Sequence, residues 1–234
     1  LLELTKKYCY EAKFIFMSTN KVYGDNPNKL KVFEKKNRWE LKKSDKYFRG
    51  IDEKFPIDDC THSFFGVSKT YADLIVQEYG KNVGLKTVCF RGGCITGPNH
   101  SGAKLHGFLS YLVKLSLKNK KYNIIGYKGK QVRDNLHSFD LVNCFWEFYK
   151  KPREGEIYNI GGGRYSNCSI LEALQIVEKI KNIKIKKRFY NLPRVGDHIW
   201  YISNLSKFKK HYPKWKQKYN TRKIIEELIE YQKK

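Results

Sequence analysis

The stretch KFIFMSTNKVYG, residues 13–24, is the most informative about the fold because a strand-like run in it ends abruptly in polar residues. Its first half, KFIFMST, is a short apolar segment that finishes in two hydroxyl side chains, which indicates a buried strand. Its second half turns at Gly24, and Asn26 and Pro27 extend the break. Ligands of α/β proteins bind at the carboxyl ends of parallel strands, so this end of the strand is the first candidate position for function.

Outward from this stretch, the chain alternates strand-like and helix-like segments. Strands are predicted over LKTVCFRGG, YNIIG, EIYNIGGG and KIKKRFYNL. Helices are predicted over SKTYADLIVQEYGKNVG, LHGFLSYLVKLSLK, SFDLVNCFWEFYK, CSILEALQIVEKI, SNLSKFKKHYP and TRKIIEELIEYQ. This alternation indicates an α/β protein with a mostly parallel sheet. Polar and glycine residues follow several strands, in MSTNK, RGGCITGP and NIGGG, and again favour function at the strand ends.

Local signals set boundaries within this pattern. Ser138 is predicted to cap the helix over SFDLVNCFWEFYK. Ser169 and Glu172 have the spacing of a capping box at the start of the next helix. Residues 28–61 are polar and irregular and are predicted to form a long loop, which in a compact domain is usually functional.

Composition and charge exclude several classes of protein. The 234 residues are 41% hydrophobic, which is enough for a sizeable core, and no run of 18 apolar residues predicts a membrane span. We therefore expect a cytoplasmic protein. The net charge of +24 suggests nucleic-acid binding, but the lysines are scattered and no nucleic-acid-binding motif accompanies them. A solvated lysine surface, without a specific nucleic-acid partner or a membrane partner, is the favoured interpretation.

The six cysteines and six histidines show no recognised catalytic or metal-binding spacing. No C-x-x-C, zinc-type Cys/His cluster, zincin motif or G-x-S-x-G elbow is present, so we expect reduced thiols and no metal. The chain opens on Leu1 within a helix-like segment, which predicts that the sequence is a fragment that starts in the middle of a domain.

Two groups of residues are candidates for chemistry near the predicted strand ends. Ser18 and Thr19 could hydrogen-bond a cofactor or a sugar hydroxyl, or they could simply cap their own turn. Phe65 and Lys69 lie four residues apart on one face of a helix, where Lys69 could hold ribose hydroxyls or reach the surface as an ordinary lysine.

Two arginines are further candidates in a chain whose basic residues are mostly lysine. Arg133, in GKQVRDNLH, and Arg194, in LPRVGDH, carry the planar fork that suits a phosphate, and each has an aspartate nearby. The alternative for each is a structural ion pair within a turn.

Several stretches together resemble the extended short-chain dehydrogenase/reductase family of NAD-dependent nucleotide-sugar epimerases and dehydratases. They are STNKVYGD, NRWE, GIDE, HSFFGVSK, FRGG, TGP, GKQVRDNLH, YNIGG and NLPRVGDH, in family order from about residue 13 to 205. The pair STNKVYGD and GKQVRD resembles the branch that epimerises CDP-linked sugars at carbon 2. The resemblance implies a homodimer that pairs through the helix SKTYADLIVQEYG.

The resemblance implies a Rossmann NAD-binding domain followed by a smaller α/β domain for the nucleotide sugar. Residues 1–98 and 137–161 match the later part of the Rossmann domain, and residues 99–136 and 162–234 match the second domain. The family's glycine-rich G-x-x-G-x-x-G turn has no counterpart in the sequence. We therefore expect that the N-terminal Rossmann half is missing and that this chain alone binds NAD weakly.

Roles are implied residue by residue for the positions that match. The resemblance implies catalytic roles for Thr19 and Lys69, and Phe65 stands where the family has its acid–base tyrosine. The implied contacts with NAD are made by Ser18, Thr19, Lys69, Gly92, Gly93 and Cys94. The implied contacts with the nucleotide sugar are made by Asn20, Lys21, Arg133, Arg194 and Asp197.

A phenyl ring transfers no proton, so Phe65 leaves three interpretations open. Another side chain could replace the phenol, with His62 as first candidate and Tyr23 and His137 behind it. Thr19 and a water could relay the proton. The protein could also bind a nucleotide sugar without redox chemistry. A 4-epimerase or a 4,6-dehydratase is the alternative reaction, although a dehydratase needs a carboxylate where Asn20 and Lys21 follow Thr19.

Overall fold

A computed structural model describes residues 1–103, 107–194 and 196–232 of the chain. Its helices are α1 (Leu2–Tyr8), α2 (Phe64–Val83), α3 (Phe108–Leu117), α4 (Ser138–Lys150), α5 (Ile170–Lys181), α6 (Ser206–His211) and α7 (Thr221–Tyr231). Its strands are β1 (Phe14–Thr19), β2 (Val32–Glu34), β3 (Trp39–Leu41), β4 (Thr87–Gly92), β5 (Cys94–Thr96), β6 (Tyr122–Ile125), β7 (Val132–His137), β8 (Glu156–Ile160), β9 (Asn167–Ser169), β10 (Lys187–Tyr190) and β11 (Trp200–Tyr201).

The opening stretch forms an edge strand of a parallel sheet with the order β1-β4-β8. Phe14 pairs with Thr87 and Thr19 with Gly92, so the polar ends of β1 and β4 lie side by side. The central strand β4 is buried along its whole length, whereas β1 at the edge is only partly covered. The expected α/β class with parallel strands, similar to the later part of a Rossmann sheet, is confirmed.

The remaining strands form smaller sheets beside the first one. β5 and β11 flank β7 in parallel, and β9 pairs with β7 antiparallel. β6 and β10 form a parallel pair, and β2 and β3 an antiparallel one. β7 has the sequence VRDNLH and is buried at every position, a polar strand that the apolar pattern did not predict. Its buried polar groups need specific partners, and these are what give the strand its role in the site.

Three hydrophobic clusters hold these elements together. One packs α4 and α6 against β4 and β8, around Phe90, Phe148 and Phe208. Another joins α3, α5 and α7 to β6, with Leu112 and Leu174 at its centre. The third lies around Tyr23, Ile51, Val132, Trp200 and Tyr201. The last cluster fixes the turn after β1 against β7 and β11, which brings the two sheets to a common site.

The start of α4 and the long loop differ from the sequence-based expectation. The N-cap of α4 is His137, whose side chain accepts from the backbone N–H of Phe139, so the prediction that Ser138 caps this helix was wrong. Ser138 is instead the first helical residue. Residues 28–61 are not one loop, because they contain the β2–β3 hairpin and begin within the short 3-10 helix Asn26–Lys29. The capping box at Ser169 and Glu172 is confirmed.

The described helices include none whose length and apolar character would allow it to cross a membrane. The predicted helix over 105–118 is described from Phe108 to Leu117, and its first two residues lie outside the described residues.

Candidate active site

A cavity of about 250 Å³ opens between the turn after β1, strands β5, β6 and β7, and the segment around Asp197. Seven of the residues that the sequence analysis assigned to ligands line it: Asn20, Lys21, Gly93, Cys94, Arg133, Arg194 and Asp197. These positions are separated by up to 177 residues in the sequence. Their convergence makes this cavity the candidate site.

Arg133 and Asp197 form the buried ionic centre of the cavity. The guanidinium of Arg133 projects from β7, donates to the Val132 carbonyl at 2.7 Å and forms an ion pair with Asp197. Arg194 lies 3.8 Å from the second oxygen of Asp197. Burial alone would raise the pKa of Asp197, but Arg133 and then Lys21 outweigh it and hold this pKa below its ordinary value. The carboxylate therefore stays ionised and fixes the arginines.

Lys21 contributes a third cation to the cavity wall. Its backbone N–H donates to the Thr19 hydroxyl at 3.2 Å, and its Nζ donates to the Gly196 carbonyl at 2.7 Å. Burial, with Arg133 nearby, lowers the pKa of Lys21 from 10.5 to about 8. Three cations facing one carboxylate give the cavity a net positive charge, which suits an anionic ligand.

Gly93 and Cys94 form the wall at the end of β4. A Cβ at Gly93 would approach the Asp134 carboxylate oxygen to 2.4 Å, so only glycine lets the backbone lie this close to β7. Burial raises the pKa of Cys94 to about 11, which keeps its thiol protonated at neutral pH.

The residues matched to catalysis lie at the carboxyl end of β1 or in the first two turns of α2, and they do not line the cavity. The Thr19 side chain caps the short helical turn after β1, which is the structural alternative that the sequence left open. The Ser18 hydroxyl donates to the Asp73 carboxylate at 2.5 Å. Lys69, in the second turn of α2, donates to the Met17 carbonyl at 2.9 Å. Phe65 lies one turn earlier on α2 and is 55% exposed. Lys69 is therefore directed at the strand end and is not a free surface lysine.

The three candidate replacements for the phenol have different surroundings. Nε2 of His62 lies 2.8 Å from the Val22 carbonyl, which can only accept, so this nitrogen carries the proton. Nδ1 is then the acceptor and lies 3.7 Å from the Cys60 sulfur. His62 lies just before the start of α2, and its Cβ is 3.5 Å from where a Cβ at Gly66 would stand.

Tyr23 and His137 are both engaged in structural contacts. The Tyr23 hydroxyl is fully buried, donates to Asn159 at 2.8 Å and accepts from Arg91 at 3.2 Å. Burial raises the pKa of Tyr23 to about 12. The His137 ring caps α4 and pairs with Glu227. None of the three candidates lines the cavity. His62 keeps the first place because the reactive groups of Tyr23 and His137 are already engaged by structural partners.

Further cavity residues were missed by the sequence analysis. Gln131 and Asn135 line the cavity on either side of Arg133, on the same face of the segment that runs into β7, and β6 supplies another part of the wall. The signal was the two-residue period of QVRDN, which is that of a strand. It was overlooked because the alternating side chains are polar. No group of three or more His, Cys, Asp or Glu side chains within the described ranges is placed to hold a metal ion.

The comparisons with known proteins agree with this architecture. A family model described as "NAD dependent epimerase/dehydratase family" matches residues 1–161. CDP-paratose 2-epimerase from Salmonella typhi is 33% identical over 215 residues, which cover 88% of this chain and 61% of that protein. A dTDP-D-glucose 4,6-dehydratase from Dictyostelium discoideum is 31% identical over 194 residues, which cover 79% of this chain and 38% of the relative.

A solved structure gives the same relationship in three dimensions. The dTDP-glucose 4,6-dehydratase from Bacillus anthracis, crystallised with NAD, has a TM-score of 0.76 at 26% identity, over 99% of this chain and 65% of that one. The chain thus spans less than two thirds of each of these relatives. The family model and the relatives agree on one assignment: the chain belongs to the NAD-dependent epimerase/dehydratase family, whose members act on nucleotide sugars.

Proposed function

We propose that the protein epimerises a CDP-linked sugar at carbon 2 through a transient keto-sugar. The observation that carries this proposal is the cavity in which Lys21, Arg133 and Arg194 surround Asp197. A nucleotide diphosphate brings two negative charges, and charge-assisted hydrogen bonds from arginine are the strong ones in such a site. The relative that matches 88% of this chain is named for epimerisation of CDP-paratose, which supports this choice of sugar nucleotide.

NAD is the cofactor of the family, and the residues present fit its nicotinamide end. Lys69 and Thr19 lie at the end of β1, beside Gly92 at the end of β4. We assign Lys69 to the ribose hydroxyls, Ser18 and Thr19 to the same end of the cofactor, and Gly92, Gly93 and Cys94 to the adjoining backbone wall. The sequence contains no G-x-x-G-x-x-G motif, which is the glycine-rich turn that binds the cofactor diphosphate in the family. NAD, when bound, supplies hydride exchange with the sugar carbon.

The chain's own residues would then bind the substrate and move its proton. Arg133 and Arg194 hold the diphosphate, with Asp197 fixing their orientation, and Asn20 and Lys21 also contact the nucleotide sugar. The Thr19 hydroxyl hydrogen-bonds the reacting sugar oxygen. His62 takes the hydroxyl proton at Nδ1, the nitrogen that its contact with Val22 leaves unprotonated. An unprotonated imidazole nitrogen can accept a proton in this way as a general base.

Two alternatives rest on particular residues. A 4,6-dehydratase is supported by a relative named for that activity, and a 4-epimerase by a solved structure named for it. Asn20 and Lys21, however, stand where a dehydratase needs a carboxylate. A nucleotide-sugar-binding protein without redox chemistry is supported by Phe65, which cannot carry a proton.

The proposed activity is tested with the full-length protein. We expect NAD to co-purify with it and CDP-paratose to be converted to an equilibrium mixture of two epimers at carbon 2, observed by NMR. UDP- and dTDP-sugars serve as comparison substrates. A protein that contains no nucleotide and leaves CDP-, UDP- and GDP-sugars unchanged would contradict the proposal. Conversion of a dTDP-sugar with loss of water would favour the dehydratase.

We also propose that the protein is a homodimer that pairs through α2. Phe64, Val67, Tyr71 and Leu74 follow each other at steps of three or four residues and are 98%, 55%, 69% and 44% exposed. Such a stripe is a typical helix-pairing surface.

A further inference from the structure

Arg133 and Arg194 are assigned to the diphosphate of the substrate. This assignment leaves the positive charge of Lys21, the third cation of the cavity, without a role. An ammonium group has three N–H donors, and Nζ of Lys21 donates one of them to the Gly196 carbonyl. Within residues 1–103, 107–194 and 196–232 it has no other hydrogen-bond acceptor. Since Lys21 lines the cavity, two donors and a positive charge are available to a ligand there.

The position of Lys21 is fixed by packing on both sides of its turn. Its backbone N–H is bonded to Thr19, and its carbonyl lies 3.0 Å from where a Cβ at Gly66 would stand, so α2 presses directly on it. A side chain anchored in this way loses little further freedom when it binds a ligand. Lys21 is therefore preorganised toward the same space as Arg133 and Arg194.

We propose that Lys21, which lines the cavity with Nζ anchored on the Gly196 carbonyl, is a third cationic ligand of the nucleotide diphosphate beside Arg133 and Arg194. The proposal deepens the proposed function, since it takes the nucleotide sugar to be the ligand of this cavity. Guanidinium groups remain charged at all relevant pH values, whereas an ammonium does not. Affinity for the substrate is then set by the protonation state of one residue.

The groups that face Lys21 favour a change of charge at this residue. Burial and Arg133 lower the pKa of Lys21 to about 8, and Arg194 acts in the same direction from the segment before β11. Asp197 opposes them. A bound diphosphate adds negative charge and raises the pKa of Lys21 again, so binding and protonation are coupled.

The other titratable groups around Lys21 keep their charge between pH 7 and 9.5. Asp197 stays ionised because its cationic neighbours, which outweigh its burial, lower its pKa. The thiol of Cys94, on β5, stays protonated because burial raises its pKa to about 11. His198 is neutral throughout because burial lowers its pKa well below the ordinary value. Among these four groups Lys21 is the one whose charge changes in this range, and the Lys21 variants test whether it causes a pH-dependent affinity.

The test is calorimetric titration of this chain with CDP-glucose at pH 7.0 and at pH 9.5. The diphosphate diester of CDP-glucose keeps the same charge at both values, so only the protein titrates. We expect affinity to fall about tenfold or more between the two pH values, the effect of one charge-assisted contact. Lys21→Arg should bind equally well at both, and Lys21→Met should bind about tenfold more weakly at pH 7.0 with no further loss at pH 9.5.

Lys43→Met is the matched control, because Lys43 is exposed and lies outside the cavity, and it should behave as the unchanged protein. Circular dichroism checks that each variant is folded, and Lys21→Arg alone decides the question if Lys21→Met unfolds. An equal loss of affinity in Lys21→Arg, or unchanged affinity in Lys21→Met, would overturn the role of Lys21 and leave the proposed function standing. Absence of CDP-glucose binding at pH 7.0 contradicts both.

Discussion

Phe65 is the residue on which the proposed chemistry depends most directly. If His62 acts as the base, His62→Ala in the full-length protein lowers turnover of the CDP-sugar by about 10² to 10⁴, the usual contribution of general base catalysis. Phe65→Tyr then changes turnover little, because the proton already has an acceptor. Both variants are measured by NMR with NAD and CDP-paratose.

The opposite results for these two variants would each contradict His62 as the base. Full activity in His62→Ala would remove that residue from the mechanism. A large gain from near zero in Phe65→Tyr would indicate a binding protein that has lost its acid–base group.

Arg91 and Asp73 form the most buried ion pair near the candidate site. Two parallel hydrogen bonds of 3.1 and 2.8 Å join them, and their side chains are 3% and 1% exposed. Removing one partner leaves the other charge buried and unpaired, so Arg91→Met should lower the free energy of unfolding by about 3–5 kcal/mol. Urea denaturation measures the change.

The matched control for this prediction is an exposed ion pair. Arg222 bonds Glu226 one turn away on α7, and its side chain is 54% exposed. Arg222→Met should cost less than about 1 kcal/mol. A loss of that small size for Arg91→Met as well would mean that the buried pair adds nothing to stability.

At the scale of single elements, the start of α5 is the clearest case of local sequence control. The Ser169 hydroxyl accepts from the Glu172 N–H at 3.0 Å, and the Glu172 carboxylate accepts from the Ser169 N–H at 2.9 Å. Ser169→Ala should lower the free energy of unfolding by about 1–2 kcal/mol, measured by thermal denaturation.

Ser206→Ala is the control for the effect of Ser169→Ala on stability. Ser206 is exposed in the first turn of α6, where Leu205 occupies the N-cap and makes no side-chain capping bond. We expect a change within about 0.5 kcal/mol. Equal effects at the two serines would mean that the capping box is not what stabilises α5.

α4 and β7 show where element-scale prediction fails. The choice between Ser138 and His137 as the cap could not be made from residue preferences, because a histidine cap depends on Glu227 and the Tyr219 ring, which stacks on it at 4.0 Å. The strand β7 was not predicted from the sequence for a related reason. Its polar side chains are compatible with burial only because distant residues, such as Asp197 and Ser203, satisfy them.

At the scale of the whole molecule, the exposed stripe on α2 predicts the state of association. Val67→Glu places charges opposite each other across a symmetric helix pair, so it should convert the dimer into a monomer without unfolding it. Sedimentation velocity measures this change. Lys179→Glu, on the exposed face of α5, should leave the dimer intact. A protein that is already monomeric, or a Val67→Glu dimer, would contradict pairing through α2.

The amino-acid sequence alone was enough to predict the α/β class, most of the described helices, five of the eleven described strands and the family, because apolar periodicity and motifs such as STNKVYGD and GKQVRD are local properties of the chain. It also named seven of the twenty residues that line the cavity, among them Lys21, Arg133, Arg194 and Asp197. The tertiary structure alone decided that Lys21, Cys94, Arg133 and Asp197 share one cavity, whereas Thr19, Phe65 and Lys69 lie beside it. It also decided the lowered pKa of Lys21. These properties depend on burial and on charges brought together from distant parts of the chain, and neither is encoded in any single stretch.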